Sequence, residues 1–287
     1  DKLVTGVQTC ALPISEFENL SLGDKRLNKR ALKIVTRLAE KPTASFPKIF
    51  PNVAELEAFY RFIESPYIQA DTLLKSHVEA TAQRVFNEKE VIVIHDTTEF
   101  TFSGSRQGLV PSSAHKSTGF FGHASLAINM DSKPLGILRM KTWTRKGPTR
   151  SSLKKAGACQ SEIEAIPSEQ ERWFEGIRDT TVLRENKSNL LHVCDSETDD
   201  YALFSRLKTE SYRFVIRACQ NRCVDGIEEK LFEVLPQKPL LAERTVPISR
   251  RDKNSSKKRH QNRDSRTANL EIRCATRSES TRLNSSH

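Results

Sequence analysis

The sequence has no apolar run long enough to cross a membrane. Its longest apolar stretches, such as residues 91–94, are of strand length, far from the roughly 18 or more residues that a helical span requires. A disulfide framework is also missing, because the six cysteines are irregularly spaced. Cys219 and Cys223 have no second Cys or His pair at zinc-ligand spacing, which argues against a structural zinc site. These absences lead us to expect a soluble, cytoplasmic protein with reduced thiols. No internal repeat and no heptad array is present, which argues against a solenoid or a coiled coil.

What is present is a globular composition: 287 residues, 37% hydrophobic and 29% charged, enough for one large domain or two modest ones. Forty-six Lys and Arg against 36 Asp and Glu leave a net charge of +10, which favours a polyanionic partner, with nucleic acid the first choice. Both ends read as foreign. Residues 6–14 (GVQTCALPI) and 280–287 (STRLNSSH) look like translated sequencing adapters, so 1–14 and 277–287 are expected to be non-native tails. The apolar part of 9–13 is too short for a signal-peptide core and lacks a strong basic start.

Between the tails, residues 15–85 read as a helical module. Leu27, Ala31, Ile34, Val35 and Leu38 recur at helical spacing, Asp24 can cap the start, and Pro42 limits the end. Arg26, Lys29, Arg30, Lys33 and Arg37 fill the other faces of this helix, either as a solvated surface or as a basic side laid along DNA phosphates. Leu56, Phe59, Tyr60 and Ile63 predict a second helix that Pro66 ends, and Leu73 to Val85 a third. His77, with no partner one helical turn away, reads as a core or boundary histidine rather than a ligand.

The pattern then changes to short β-branched runs. Residues 90–96, 124–130 and 135–143 predict a three-stranded meander with a turn at 131–134. A helix around 169–182, a strand over 189–195, a helix over 200–210 and a strand over 212–218 follow. This order implies an α+β or α/β fold with a mixed sheet and helices packed on it, over residues 86–236. Two more strands, 243–249 and 269–274, fall in a β-rich segment, 237–276. Between them residues 250–263 (RRDKNSSKKRHQNR) hold seven Lys or Arg, including Arg250, Arg251, Lys257, Lys258 and Arg259, a density suited either to phosphates or to a solvated loop.

Asp96 and Asp195 each end an apolar strand, where the edge of an open sheet faces a ligand crevice. If the two strands are neighbours, their carboxylates form an oxygen donor set suited to Mg²⁺ or Mn²⁺, and a pair of such ions supports phosphodiester cleavage. An Asp after a strand is also an ordinary turn former or cap. Asp199 and Asp200 read as caps for the following helix, with Glu197 a further acid beside them. Trp143 and Trp173 could stack on a base, but each lies in an apolar periodic segment that suits a core role. A phosphohydrolase with Asp96 as nucleophile is disfavoured, because Thr98 stands where its second acid belongs.

An ordered set of short motifs adds to this reading. It comprises residues 22–26 (LGDKR) with Arg30, 60–63 (YRFI), 95–98 (HDTT), 119–121 (GFF) with His123, and 193–197 (VCDSE) with Asp199. Together they resemble DDE transposases of the insertion-sequence-four family, in order and spacing, from Ser21 to Thr276. The resemblance implies a helical domain that binds transposon-end DNA, a ribonuclease-H-like core and a β-rich insertion. It implies that Asp96 and Asp195 are the first two catalytic, metal-binding acids, with Thr97 and Thr98 shaping the first site, and that Arg26 and Arg30 contact DNA. Leu27 stands where the family has a basic residue. It further implies two Mg²⁺ or Mn²⁺ ions, double-stranded DNA as end and target, and a homodimer on DNA for the full-length parent. The family's third acid is a Glu in a tyrosine-arginine-glutamate-lysine signature that does not occur here; Glu271 and Glu279 do not replace it. The expectation is therefore a transposase piece inactive by itself, and the alternative a DNA-binding protein without catalysis.

Overall fold

The structure, a computed structural model, describes residues 16–17, 19–104, 106–111, 117–144, 150–164, 169–181, 189–222, 229–250 and 263–274. The chain divides into two compact units, Asp1–Arg217 and Ala218–His287. Residues 1–14, 251–262 and 275–287, which hold the expected tails and most of the basic loop, lie outside the described residues.

The first unit opens with three longer helices, α1 (Lys25–Glu40), α2 (Val53–Ile63) and α3 (Ala70–Asn87), with a helical turn at Phe46–Ile49 between the first two. Asp24 caps α1 by accepting the Arg26 amide, and Asn52 caps α2 by accepting the Glu55 amide, each satisfying an otherwise orphaned donor. The apolar stripes read from the sequence close on one another: Ala31 and Ile34 of α1 pack with Phe59 and Phe62 of α2, and Ile49 and Phe50 fill the space between. Phe59 stacks on Phe50 with ring centres 4.8 Å apart. Burying such a phenyl group contributes about 1.5–3 kcal/mol.

The helix α3 joins this cluster to a sheet, with Leu73 against the helical core and Val85 against the strands. The sheet holds β1 (Val91–Ser103), β2 (Ser117–Asn129), β3 (Pro134–Trp143), β4 (Leu190–Cys194) and β5 (Arg213–Ile216), in the order β3-β2-β1-β4-β5. A two-residue strand, Val110–Pro111, also pairs with β2. β1, β2 and β3 form an antiparallel meander, while β4 and β5 run parallel to β1. Between the strands, α4 (Glu169–Thr181) connects towards β4 and α5 (Tyr201–Thr209) connects β4 to β5. A helical N-terminal region followed by a mixed sheet with flanking helices is thus the architecture.

Strand alternation sorts the side chains into two faces. One carries Val91, Val93 and His95 of β1, Ser125 and Ala127 of β2, and Leu190, His192 and Cys194 of β4, all buried. Against it pack Val85 of α3, Trp173, Phe174 and Ile177 of α4, and Leu203 and Leu207 of α5. The opposite face carries Ile92, Ile94, Leu126, Leu191 and Val193, which are only half-buried.

Among its described residues the second unit has a helical turn, α6 (Leu231–Val234), a 3-10 turn over Leu235–Gln237, and an antiparallel ribbon of β6 (Leu240–Ile248) and β7 (Arg266–Arg273). Most of the ribbon's side chains are exposed.

Candidate functional site

β1 and β4 pair in parallel up to His95 opposite Cys194. Asp96 is the next residue of β1 and Asp195 the first residue after β4, so the register brings the two acids to the same end of the β1–β4 pair. Alternation puts Asp96 on the less covered face, opposite His95. Asp96 is exposed, and Thr98 Oγ1, two residues on and on the same face, donates to its Oδ2 at 3.4 Å. Asp195 is half-buried and accepts the Glu197 amide at 2.9 Å, capping the short turn Ser196–Thr198.

The geometry corrects three expectations. Asp96 does not end its strand: β1 continues to Ser103, because its antiparallel partner β2 runs on to Ser117 while the parallel partner β4 stops at Cys194. Asp96 instead marks where β1 loses its parallel neighbour. Thr97 does not stand beside Asp96; alternation turns it to the helix-covered face, where its hydroxyl lies 2.9 Å from His123 Nδ1. The basic side of α1 is only partly available, since Lys33 is paired with Glu55 at 2.7 Å and Arg37 lies near both Glu40 and Glu55. Arg26, Lys29 and Arg30 are exposed; Arg26 also makes a 3.4 Å contact with its own cap, Asp24.

The expected helix cap and the boundary histidine are both present. Asp200 caps α5 through the Leu203 amide at 3.1 Å. His77 is a boundary residue: its Nε2 accepts the Ile137 amide at 2.9 Å, so the proton is on Nδ1, which donates to Glu16 at 2.8 Å. Glu271 lies in the exposed ribbon of the second unit, paired with Arg273 at 2.7 Å. Arg250 is exposed, whereas Arg251, Lys257, Lys258 and Arg259 lie outside the described residues. No group of three or more His, Cys, Asp or Glu that could hold a metal ion occurs among the described residues. No described helix is long and apolar enough to cross a membrane.

Behind the acids is a feature the sequence pattern did not signal, three buried histidines from three strands. Their hydrogen bonds have one consistent direction. Thr181 Oγ1 donates to the Ile177 carbonyl at 2.7 Å, so it must accept from His192 Nε2 at 3.1 Å. His192 Nδ1 is then the acceptor for His95 Nε2 at 2.9 Å, and His95 Nδ1 accepts from Ser125 Oγ at 3.0 Å. Each of these two rings is satisfied only when neutral. Burial pushes the pKa of His192 down to about 4 and holds that of His95 well below the usual histidine range, and the neighbouring His192 adds to the effect on His95. His123 is also pushed down to about 4, by burial and by the nearby Arg139 guanidinium. Its Nε2 has no hydrogen-bond partner among the described residues. Gly176 of α4 permits this packing, since a Cβ there would lie 2.8 Å from His123 Nε2 and 3.3 Å from His95 Nδ1. Beside the same strand end, burial pushes the Cys194 thiol up to about 12, which keeps it an inert core residue.

Residues 10–68 match the family model described as Transposase DNA-binding. Solved structures with some similarity include the synaptic complex of piggyBac transposase with hairpin DNA, at 12% identity and a TM-score of 0.37 over 82% of this chain and 52% of that one. Another is the Mos1 transposase paired-end complex with the left transposon end, at 12% identity and a TM-score of 0.26 over 66% of this chain and 59% of that one. The Mos1 mariner paired-end complex with Mn matches at 11% identity and a TM-score of 0.25, over the same shares of the two chains. The chain therefore spans about half the length of the piggyBac chain and less than two thirds of the Mos1 chains.

Proposed function

We propose that this chain is part of a cut-and-paste DNA transposase of the DDE type, similar to the insertion-sequence-four family. Its helical region would bind transposon-end DNA, and its sheet would supply two of three catalytic carboxylates. The observation that supports the reading is the parallel register of β1 and β4, which ends at His95 opposite Cys194, one residue before Asp96 and Asp195, in a chain whose N-terminal region matches a transposase DNA-binding model. Two carboxylates on neighbouring strands offer hard oxygen donors, the type that Mg²⁺ and Mn²⁺ take. When bound, a pair of such ions activates a water and neutralises the leaving oxygen of a phosphodiester.

Within this reading, each residue has a limited role. Asp96 and Asp195 hold the ions, and Thr98 orients Asp96 through its hydrogen bond. The buried histidine chain fixes the strands that carry the acids. Arg26, Lys29 and Arg30 on α1, and the basic segment that begins at Arg250, neutralise DNA phosphates. Two acids without a third hold ions loosely, so the chain by itself is expected to bind DNA without cutting it. The parent protein would assemble as a dimer on paired ends.

A second reading, a DNA-binding protein without catalysis, is favoured by one observation: Asp195 already serves as the cap of the turn that follows it. The two readings separate on Mn²⁺ affinity, read by the loss of the free-ion electron paramagnetic resonance signal. The transposase reading expects Asp96→Asn and Asp195→Asn each to weaken Mn²⁺ binding at least about tenfold, the scale of losing a metal-site interaction. Unchanged affinity in both variants would leave the non-catalytic reading. Specific nicking of end DNA by the chain with Mn²⁺ would refute the expected inactivity.

A further inference from the structure

Glu16 lies ahead of α1, within the segment that matches the DNA-binding model, yet its carboxylate is held by α3, the helix that joins the sheet. His77 Nδ1 donates to its Oε2 at 2.8 Å, Arg84 Nη1 reaches its Oε1 at 2.6 Å, and Arg84 Nη2 donates to Oε2 at 3.1 Å. The buried Ser76 hydroxyl donates to the Glu16 backbone carbonyl at 3.0 Å. Directly after Glu16, Phe17 and Leu20 pack into the helical core. The segment is therefore tied to the helical region by its apolar side chains and to α3 by Glu16.

His77 and Arg84 stand seven residues apart on one face of α3, and each also grips β3. Arg84 Nε donates to the Leu135 carbonyl at 2.6 Å, and His77 Nε2 accepts the Ile137 amide at 2.9 Å. A carbonyl and the amide two residues on point to the same side of a strand. Among the described strands β3 pairs with β2 alone, so the two side chains stand where a further strand would pair with its open edge. Gly136, between the two gripped residues, lies against the buried Thr81 of α3. Glu16 takes up the other ends of both side chains. Its own side chain is only 15% exposed, so removing the carboxylate would leave the Arg84 charge and the His77 N–H poorly compensated.

We propose that Glu16 is a latch that couples the helical region to the sheet through His77, Arg84 and the edge of β3. The helical core meets α3 at Leu73, near the start of that helix. Glu16 adds a second attachment that extends to Arg84, roughly 16 Å further along the axis at 1.5 Å per residue. A single attachment lets α3 turn about it; two separated ones fix the direction of α3, and with it that of β3. A load on α1 is then passed to the sheet edge instead of being absorbed between the two. Where that load is a duplex held by α1, a use that rests on the reading above, the latch keeps the DNA at a fixed orientation to the strands that lead to Asp96 and Asp195.

The test is amide hydrogen exchange on the whole chain, without DNA, in the unmodified protein and in Glu16→Ala. In the unmodified chain the slowest amides of α1 and α2 should show the same protection as those of β1 and β4, as parts of one cooperative unit. In Glu16→Ala the α1, α2 and Ile137 amides should exchange at least about tenfold faster, the scale of losing a hydrogen bond to a charged group. The β1 and β4 amides should keep their protection, which shows that the variant's sheet is folded. Glu16→Gln, which keeps the shape and one acceptor, should fall between the two. Unchanged exchange in Glu16→Ala, equal acceleration of every amide, or helices that already exchange independently of the sheet in the unmodified chain would each overturn the latch. A short duplex of arbitrary sequence, its binding followed by fluorescence anisotropy, should slow exchange at Ile137 in the unmodified chain and not in Glu16→Ala; equal slowing in both would also overturn it. Failure of the duplex to bind would sink the DNA-binding reading alone, because the coupling is judged without DNA.

Discussion

Acid should destabilise the sheet unit well before its carboxylates titrate. His123 and His192 have pKa values pushed down to about 4 in the folded protein, against 6.5 when unperturbed. Above pH 6.5 both rings are neutral folded or unfolded, and the shift has no effect on stability. As pH falls below 6.5 the unfolded chain takes up protons that the folded chain refuses, so stability drops until pH reaches about 4. At pH 5 the linkage is about 2 kcal/mol for each ring, or about 4 kcal/mol for the pair, to order of magnitude. His95 acts in the same direction. The lowered carboxyls of Asp24, Glu55 and Glu175 lose their contribution only as pH falls through 3.8–4.5 and lower, so a comparison of pH 7 with pH 5 isolates the histidines. Both tryptophans, Trp143 and Trp173, lie in this unit, so their fluorescence during urea unfolding reports on it alone. With a urea dependence of about 2 kcal/mol per molar, the midpoint should fall by about 2 M between pH 7 and pH 5. In His123→Gln or His192→Gln the fall should be smaller by about 1 M. Equal midpoints at the two pH values, or an undiminished fall in both variants, would refute the neutral hydrogen-bonded chain.

Three further outcomes are expected. Gly176→Ala forces a methyl group to within 2.8 Å of His123 Nε2 and should cost about 1–3 kcal/mol in urea unfolding, the usual range for overpacking. Gly136→Ala should be at least as damaging in the same assay, because its φ of +137° strains any Cβ and that Cβ would run into Thr81 Oγ1. For DNA, Lys29→Ala and Arg30→Ala should weaken binding to all duplexes alike. Each should also reduce the slope of log affinity against log salt by about 0.9 for every phosphate that is no longer neutralised; an unchanged slope would remove α1 from the interface.

The sequence by itself determined the elements and their order. Periodicity placed the three N-terminal helices, the meander and the helix–strand alternation, because spacings of 3.6 and 2 residues are local consequences of backbone geometry. It also put Asp96 and Asp195 beside apolar runs, and it identified Asp24 and Asp200 as caps. What it left open were the non-local pairings. That β4 lies beside β1 in parallel, with His95 opposite Cys194, depends on α4 and α5 packing against the same face of the sheet, and no short window of residues encodes that. The same pairing creates the histidine chain. His95, His123 and His192 each sit at an inward position of a strand, which alternation signals, but only the neighbouring of β2, β1 and β4 stacks His123 on His95 and puts the His95 and His192 rings in hydrogen-bonding reach of each other and of Ser125 and Thr181. Tertiary packing likewise tied Lys33 to Glu55, 22 residues away, and stacked Trp143 between Phe121 and Arg172. Side-chain charge and ring type are written in the sequence; what each faces is fixed by contacts between residues far apart along the chain.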